Sequence, residues 1–273
     1  MIKIDNANNI NFKSGLNSNL VRQSRNCIVS DVENHFRKQK IETNLEQCKT
    51  IAFCVSKVQQ IFRALTEKNF IKNLRICAPG IYTYLPDKLN FNFEGYGFCL
   101  PETSKVFNDG KLYLTGSVFL EKENSIEMLD SKTEKSYLNG NRSSSHYLSP
   151  ILHEFLHGVY IDYIYKKYGY CGFCEHTKEM YPAKDSNFDG LKVMDQIKTK
   201  KLSEKENDIV RSVLNTYATS KTNQYHEVFA ETFSKLICDT LSEKDSMPTK
   251  NPLDNLQKYP KDFLSILNKV LSV

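Results

Sequence analysis

The sequence has 273 residues, of which 40% are hydrophobic, and its formal net charge is +5 at pH 7. A chain of this length and composition can bury a sizeable core as one domain. The weak positive charge comes from lysines interspersed with acidic residues, without a basic stripe, which excludes nucleic-acid binding. No segment reaches the roughly 20 apolar residues that a membrane span requires.

The first 26 residues are rich in Asn and Ser and contain a single acidic residue, Asp5. This composition predicts a flexible leader, and it is also typical of bacterial effectors that are injected into host cells. The leader lacks the apolar core of about seven or more residues that a cleavable export signal needs. Eight cysteines scattered over predicted helices and strands then favour a reducing compartment, either cytosolic or reached by non-classical secretion into a host cell.

Between residues 45 and 145 the pattern predicts a helix, a small sheet and a loop. Residues 45–65 carry apolar side chains at helical spacing without a breaker. Residues 111–121 are rich in β-branched and aromatic side chains and predict a strand, with further strands expected in 95–100 and 74–84. The polar residues 121–145 predict a loop, which we expect to form the wall or lid of a cleft.

Residues 153–157 read His-Glu-Phe-Leu-His, which is the HExxH pattern. On an α-helix the side chains of His153 and His157 lie on one face, so both imidazoles can bind one metal ion. Glu154 then points to where the general base of a zinc hydrolase is required. The pattern therefore predicts a catalytic zinc site.

The surroundings of the motif favour a buried helix. Ser149 is a good N-cap and Pro150 fits the first helical position, and apolar residues continue at helical spacing to about residue 168. Two histidines and a glutamate in such a helix are costly unless they are paired or bound to metal. The alternative is a pair of hydrogen-bonded core histidines, which would leave Glu154 without a partner.

The third metal ligand has to come from a remote part of the chain. Asp162, five residues after His157, would lie about 140° around a continuing helix and face away from the metal. Glu227 and Glu231 lie four residues apart on a later predicted helix. Glu227 as ligand and Glu231 as the acceptor that orients a ligating histidine would supply both roles that a zinc site needs. The alternative is two ordinary solvated glutamates.

A second metal site is suggested by Cys171, Cys174 and His176, which have short metal-ligand spacing. A fourth ligand would then come from Cys238 or His146. The alternatives are a redox pair or two ordinary thiols beside a surface histidine.

The remaining flanks predict helices. Ser203 and Glu206 form a capping box that begins a helix extending to about residue 216. Residues 253–273 predict one or two short helices that are separated at Pro260.

The motifs HEFLH and EVFAETF resemble those of the zinc metalloproteases related to anthrax lethal factor, which include secreted Pro-Pro endopeptidases. The resemblance covers residues 148–235. It implies that His153, His157 and Glu227 are the zinc ligands and that Glu154 is the general base.

The family pattern also includes a tyrosine that stabilises the oxyanion, seven residues before the ligand glutamate. Here that position is Ser220, which departs from the pattern. A short insertion could bring Tyr217 into the equivalent place, whereas Tyr225 would point away from the ligand face of a continuous helix. The resemblance therefore makes Tyr217 the expected catalytic tyrosine.

The resemblance implies an α+β, zincin-like fold of the gluzincin type, with a small mixed sheet, an HExxH helix and a mainly helical C-terminal part. Residues 27–273 would form a single catalytic domain. Its parts would be a helical portion (27–72), a sheet region (73–122), the zinc-site helices (148–240) and C-terminal helices (241–273).

Together these features predict a zinc-dependent endopeptidase that cleaves a protein substrate, as a bacterial effector or toxin acting on a host protein. One alternative is a zincin-scaffold binding protein that captures a partner without cleaving it. Another is a structural protein with a fortuitous HExxH that binds no metal. The first alternative would be indifferent to Glu154→Gln, and the second would contain no zinc.

Overall fold

The computed structural model describes residues 28–38, 45–67, 80–82, 97–106, 112–120, 126–167, 173–174, 179–180, 199–221 and 224–272. The predicted leader, residues 1–26, lies outside these ranges. The helices are α1 (Val29–Lys38), α2 (Leu45–Glu67), α3 (Ile126–Leu138), α4 (Ser149–Lys167), α5 (Glu204–Val213), α6 (Tyr217–Ser220), α7 (Gln224–Cys238), a 3₁₀ helix (Pro252–Lys258) and α8 (Lys261–Leu271). No helix within the described ranges is both long and apolar enough to cross a membrane.

Between α2 and α3 the described backbone contains one strand of three residues and two longer strands. β1 (Gly80–Tyr82) pairs in parallel with β3 (Leu112–Leu120), and β2 (Gly97–Val106) pairs with β3 in antiparallel orientation. After α4, β4 (Phe173–Cys174) and β5 (Glu179–Met180) form a two-residue antiparallel ladder. The side chains of these strands are not described, so none of them is assigned to the core.

The predicted α+β class is wrong: the residues whose side chains are described are about 73% helical, and none of them lies in a strand or a sheet. The physical reason is that helices α2, α4, α7 and α8 bury their apolar faces against one another in one hydrophobic core. A helix that is apolar on most sides needs neighbours on most sides. For α4 the other helices provide those neighbours in the part of the core whose side chains are described.

The contact between α4 and α7 positions the site. Tyr160 of α4 stacks on Phe229 of α7 with ring centroids 4.7 Å apart, and its hydroxyl donates to Val270 O at 2.8 Å. At the start of α4, Ser234 Oγ of α7 donates to Ser149 O at 3.1 Å. These contacts hold α4 and α7 together on both sides of the HExxH turn.

Residues 121–145 were predicted to be a loop, but residues 126–138 form α3, so that prediction is wrong for them. Only Leu129 and Thr133 of this helix are buried, and Thr133 Oγ1 donates to Leu129 O at 2.5 Å. A buried stripe of two residues produces almost no apolar periodicity. After α3 the chain turns at Gly140, which has a φ of 70°.

Other local predictions are confirmed. The helix expected over 45–65 is α2, α4 ends close to the expected residue, and the C-terminal helices separate at Pro260. The N-cap prediction for Ser149 is wrong, because Ser149 is the first helical residue of α4 and Leu152 N donates to Leu148 O. The helix after Ser203 is shorter than predicted, since α5 ends at Val213 and Tyr217 begins the separate helix α6.

The capping box of α5 is a testable stabilising feature. Ser203 Oγ accepts from Glu206 N, and Glu206 Oε2 accepts from Ser203 N at 2.7 Å. Ser203→Ala is expected to lower the free energy of unfolding by about 1 kcal/mol, measured by denaturant titration, because a helical N–H loses its acceptor. Ser212→Ala on the same helix is the control, since Ser212 is exposed and caps nothing. Equal effects of the two substitutions would contradict a capping role.

Candidate metal centre

Three predicted ligand atoms converge between α4 and α7. His153 Nε2 lies 2.9 Å from His157 Nε2, and Glu227 Oε2 lies 3.1 Å and 3.7 Å from these two nitrogens. A tetrahedral zinc site with bonds of about 2.0–2.1 Å separates its ligand atoms by about 3.3 Å. The observed separations bracket that value, so this buried group could hold a metal ion.

The positions that protons can occupy on the site residues are also consistent with a bound cation. His153 Nδ1 lies 2.9 Å from Glu231 Oε1, so this carboxylate is within reach of a proton on Nδ1. A neutral His153 would then direct the Nε2 lone pair at Glu227 Oε2, only 3.1 Å away. Two electron-rich atoms at this distance need a proton or a metal cation between them.

Without a bound metal, a proton would take that position. Burial alone would lower the pKa of His153, but hydrogen bonds to Glu227 and Glu231 outweigh burial and raise the pKa to about 10. Burial lowers the pKa of His157 to about 3. Burial opposes ionisation of Glu227, yet His157 and His153 lower its pKa to about 2. Without a metal, the site would therefore hold a protonated His153 between two carboxylates.

Zinc binding should consequently release a proton from His153. Because the raised pKa keeps this proton in place throughout pH 6–8, zinc affinity is expected to increase by about tenfold per pH unit in that range. Competition against a chelator, corrected for the chelator's own protonation, measures this slope. An affinity independent of pH would contradict the proton assignment.

Glu231 accepts the hydrogen bonds of the polar residues behind the predicted metal ligands and is 1% exposed. Its Oε2 accepts from Ser143 Oγ at 2.6 Å and from Asn215 Nδ2 at 2.7 Å. Its Oε1 accepts from Arg142 Nη1 at 3.2 Å and faces His153 Nδ1. Glu231 thus lies where the sequence predicted the acceptor that orients a ligating histidine.

Three of these groups were missed by the sequence interpretation. Arg142 and Ser143 lie in the serine-rich segment that was taken as part of a loop, and Asn215 lies between two helices. The single available signal was the hydrogen-bonding capacity of Asn215 just before Tyr217. A buried arginine cannot be told from a surface arginine by local pattern.

Tyr217 lies beside the metal centre. Its ring centroid is 5.7 Å from that of His153 in an edge-on arrangement, and Arg142 Cζ lies 5.1 Å from its ring centroid. Burial, followed by the charges of Glu227 and Glu154, raises the pKa of Tyr217, so its hydroxyl stays protonated at neutral pH.

The other tyrosine-motif positions do not line the site. Ser220 is exposed and its hydroxyl donates to Tyr217 O at 3.0 Å. Tyr225 is buried but forms a hydrogen bond with Lys269 of α8.

Glu154 follows His153 directly on α4 and is 5% exposed. Its charge raises the pKa of Tyr217, so the two side chains lie within electrostatic range of each other. His226, which the sequence interpretation did not use, backs the second ligand, because its ring centroid lies 6.0 Å from that of His157. It also packs against Tyr160 at 4.8 Å.

The second predicted metal site lies outside the described side chains. Cys171 and His176 fall outside the described residues, and the side chain of Cys174 in β4 is not described. Of the two suggested fourth ligands, His146 Nδ1 accepts from Leu148 N at 3.2 Å, and Cys238 is a buried free thiol. The second site stays a prediction.

Comparison of the chain with family models, with curated proteins and with solved structures finds no match. The resemblance to lethal-factor-related proteases consequently depends on the two motifs. The function has to be argued from the chemistry of the site.

Proposed function

We propose that this protein is a zinc-dependent endopeptidase of the gluzincin type, similar in its site to the lethal-factor-related metalloproteases. The observation that supports the proposal is the convergence of His153, His157 and Glu227 at zinc-ligand spacing in a buried site. Glu154 on the same helix and Tyr217 beside His153 add the groups that hydrolysis requires. A purely structural metal site would need neither of them.

A zinc ion held by these three residues would supply a Lewis acid that polarises a carbonyl group and lowers the pKa of a water to about 7. Glu154 would accept the proton of the attacking water and pass it to the leaving amine nitrogen. Tyr217 would donate its hydroxyl hydrogen bond to the oxyanion that develops on the scissile carbonyl. Glu231 would hold the tautomer and orientation of His153.

The proposed substrate is a peptide bond of a protein, since a base, an oxyanion donor and a Lewis acid together suit amide hydrolysis and the two motifs resemble those of endopeptidases. Action on a host protein as an effector or toxin stays a prediction, because it depends on the composition of residues 1–26. The described cysteines Cys54 and Cys238 are buried free thiols. Free thiols fit the reducing compartment predicted from the sequence.

The deciding experiment measures zinc per chain in protein purified without added metal, together with cleavage of a fluorescence-quenched peptide library. Both measurements compare the wild type with His153→Ala. One zinc and cleavage in the wild type, with neither in the variant, would support the endopeptidase. Zinc without cleavage would favour the zincin-scaffold binding protein instead. No zinc in either protein, even after zinc is offered, would refute both. Two zinc ions in the wild type and one in the variant would identify a second site.

A further inference from the structure

We infer that Asn215 is a positioning residue that holds Tyr217 at the metal centre by tying helix α6 to Glu231. The same carboxylate orients His153, so one buried group would set the positions of both a metal ligand and the proposed oxyanion donor. This inference rests on the proposed function, because Tyr217 needs accurate placement only if the site is catalytic.

Both polar atoms of the Asn215 side-chain amide form hydrogen bonds. Its Oδ1 accepts from Ala218 N at 2.9 Å, and its Nδ2 donates to Glu231 Oε2 at 2.7 Å and to Ser143 Oγ at 2.5 Å. A carboxylate can only accept and a backbone N–H can only donate, so the reversed amide orientation is excluded. Asn215 is 4% exposed, and water therefore competes little for these bonds.

Helix α6 depends on this connection because it has only four residues. A helix of one turn is not stable without external support. Thr216, which immediately precedes α6, offers it no side-chain cap. Asn215 Oδ1 supplies the acceptor instead, and Gln224 Nε2 binds Thr219 O at the other end at 2.9 Å.

The two carboxylate oxygens of Glu231 serve different residues, one facing the metal ligand His153 and the other supporting the helix that carries Tyr217. Oε1 faces His153 and Arg142, and Arg142 also covers the ring of Tyr217. Oε2 takes Asn215, whose other end holds the backbone of α6. The ring of Tyr217 thus lies close to both Arg142 and His153, on a helix anchored to the same carboxylate. Loss of the Asn215 amide should free α6 without removing a metal ligand.

The test combines Asn215→Ala and Asn215→Ser with Tyr217→Phe and the corresponding double variants. Serine retains a hydroxyl of the kind that caps helices but loses the amide donor to Glu231. Both Asn215 variants are expected to keep one zinc per chain and to lower kcat by about 10- to 100-fold at unchanged KM. Tyr217→Phe is expected to lower kcat by about 100-fold.

In the Tyr217→Phe background, either Asn215 substitution should lower kcat by less than about twofold, because the positioned hydroxyl is already gone. Thr216→Ala is the control, since Thr216 bonds Gly140 O and not Glu231, and its kcat should stay near that of the wild type. Wild-type kcat in Asn215→Ser would show that capping alone suffices and would overturn the inference. So would additive losses in the double variants, or losses of kcat that follow loss of zinc.

Amide hydrogen exchange separates this inference from the proposed function. Exchange across α6 should become faster in both Asn215 variants, most strongly at Ala218 in Asn215→Ala, and stay unchanged in Tyr217→Phe, whether or not the protein cleaves peptides. A wild type that binds zinc but does not hydrolyse peptides would refute the proposed function. It would also refute a catalytic purpose for the hydrogen bond from Asn215 to Glu231, which is called the tether below. Unchanged exchange in an active enzyme would refute the tether alone.

Discussion

Replacing Glu154 with glutamine is expected to abolish hydrolysis while one zinc ion per chain is retained. Glutamine has nearly the volume of glutamate, so the packing of α4 is kept, but its amide cannot accept a proton from water. General-base catalysis contributes about 10²–10⁴-fold, and kcat/KM should fall by that factor. The measurement is peptide cleavage beside metal analysis of the same preparation.

The metal analysis makes this result specific. Glu154 is not among the three converging ligand groups, so its substitution should not change zinc content. Full activity of the Glu154→Gln protein would remove Glu154 from the mechanism. Loss of zinc together with activity would mean that Glu154 supports the metal centre and not the proton transfer.

Replacing Glu227 with alanine is expected to weaken zinc binding by at least about 100-fold. Loss of a group that only orients a ligand already costs about 10- to 100-fold in affinity, and Glu227 is proposed to bind the metal directly. Competition titration against a chelator measures the change. Hydrolysis should disappear at zinc concentrations that saturate the wild type.

Glu134→Ala provides a control for the Glu227 substitution, because Glu134 is an exposed glutamate of helix α3. It should bind zinc as the wild type does. Circular dichroism of both variants checks that the helices are intact, since removal of a buried carboxylate also changes the charge balance around His153. A Glu227→Ala protein that still binds zinc and cleaves peptide would mean that another residue is the third ligand.

Individual helices were predicted better than the fold class. Helix α2 was predictable because its apolar residues repeat at helical spacing over several turns. Helix α3 was missed because only Leu129 and Thr133 face the core. The α+β class was inferred largely from the resemblance, and a motif of a few residues does not determine which elements complete a core.

The network around Glu231 could not be predicted either. Arg142 and Ser143 lie 89 and 88 residues from Glu231 in the chain, and both hydrogen-bond to its carboxylate. No local pattern marks which polar residue of an irregular segment becomes buried. Asn215 was overlooked for the same reason, although it immediately precedes the helix of Tyr217.

The sequence by itself determined which side chains share a helix face. His153 and His157 are one turn apart, as are Glu227 and Glu231, and helix geometry alone brings each pair together. Only the tertiary structure decided that α4 and α7 face each other, that Glu231 binds His153, and that Tyr217 reaches the site on a separate short helix. Local spacing follows from backbone geometry, whereas contacts between distant residues depend on how complete helices bury their apolar surfaces.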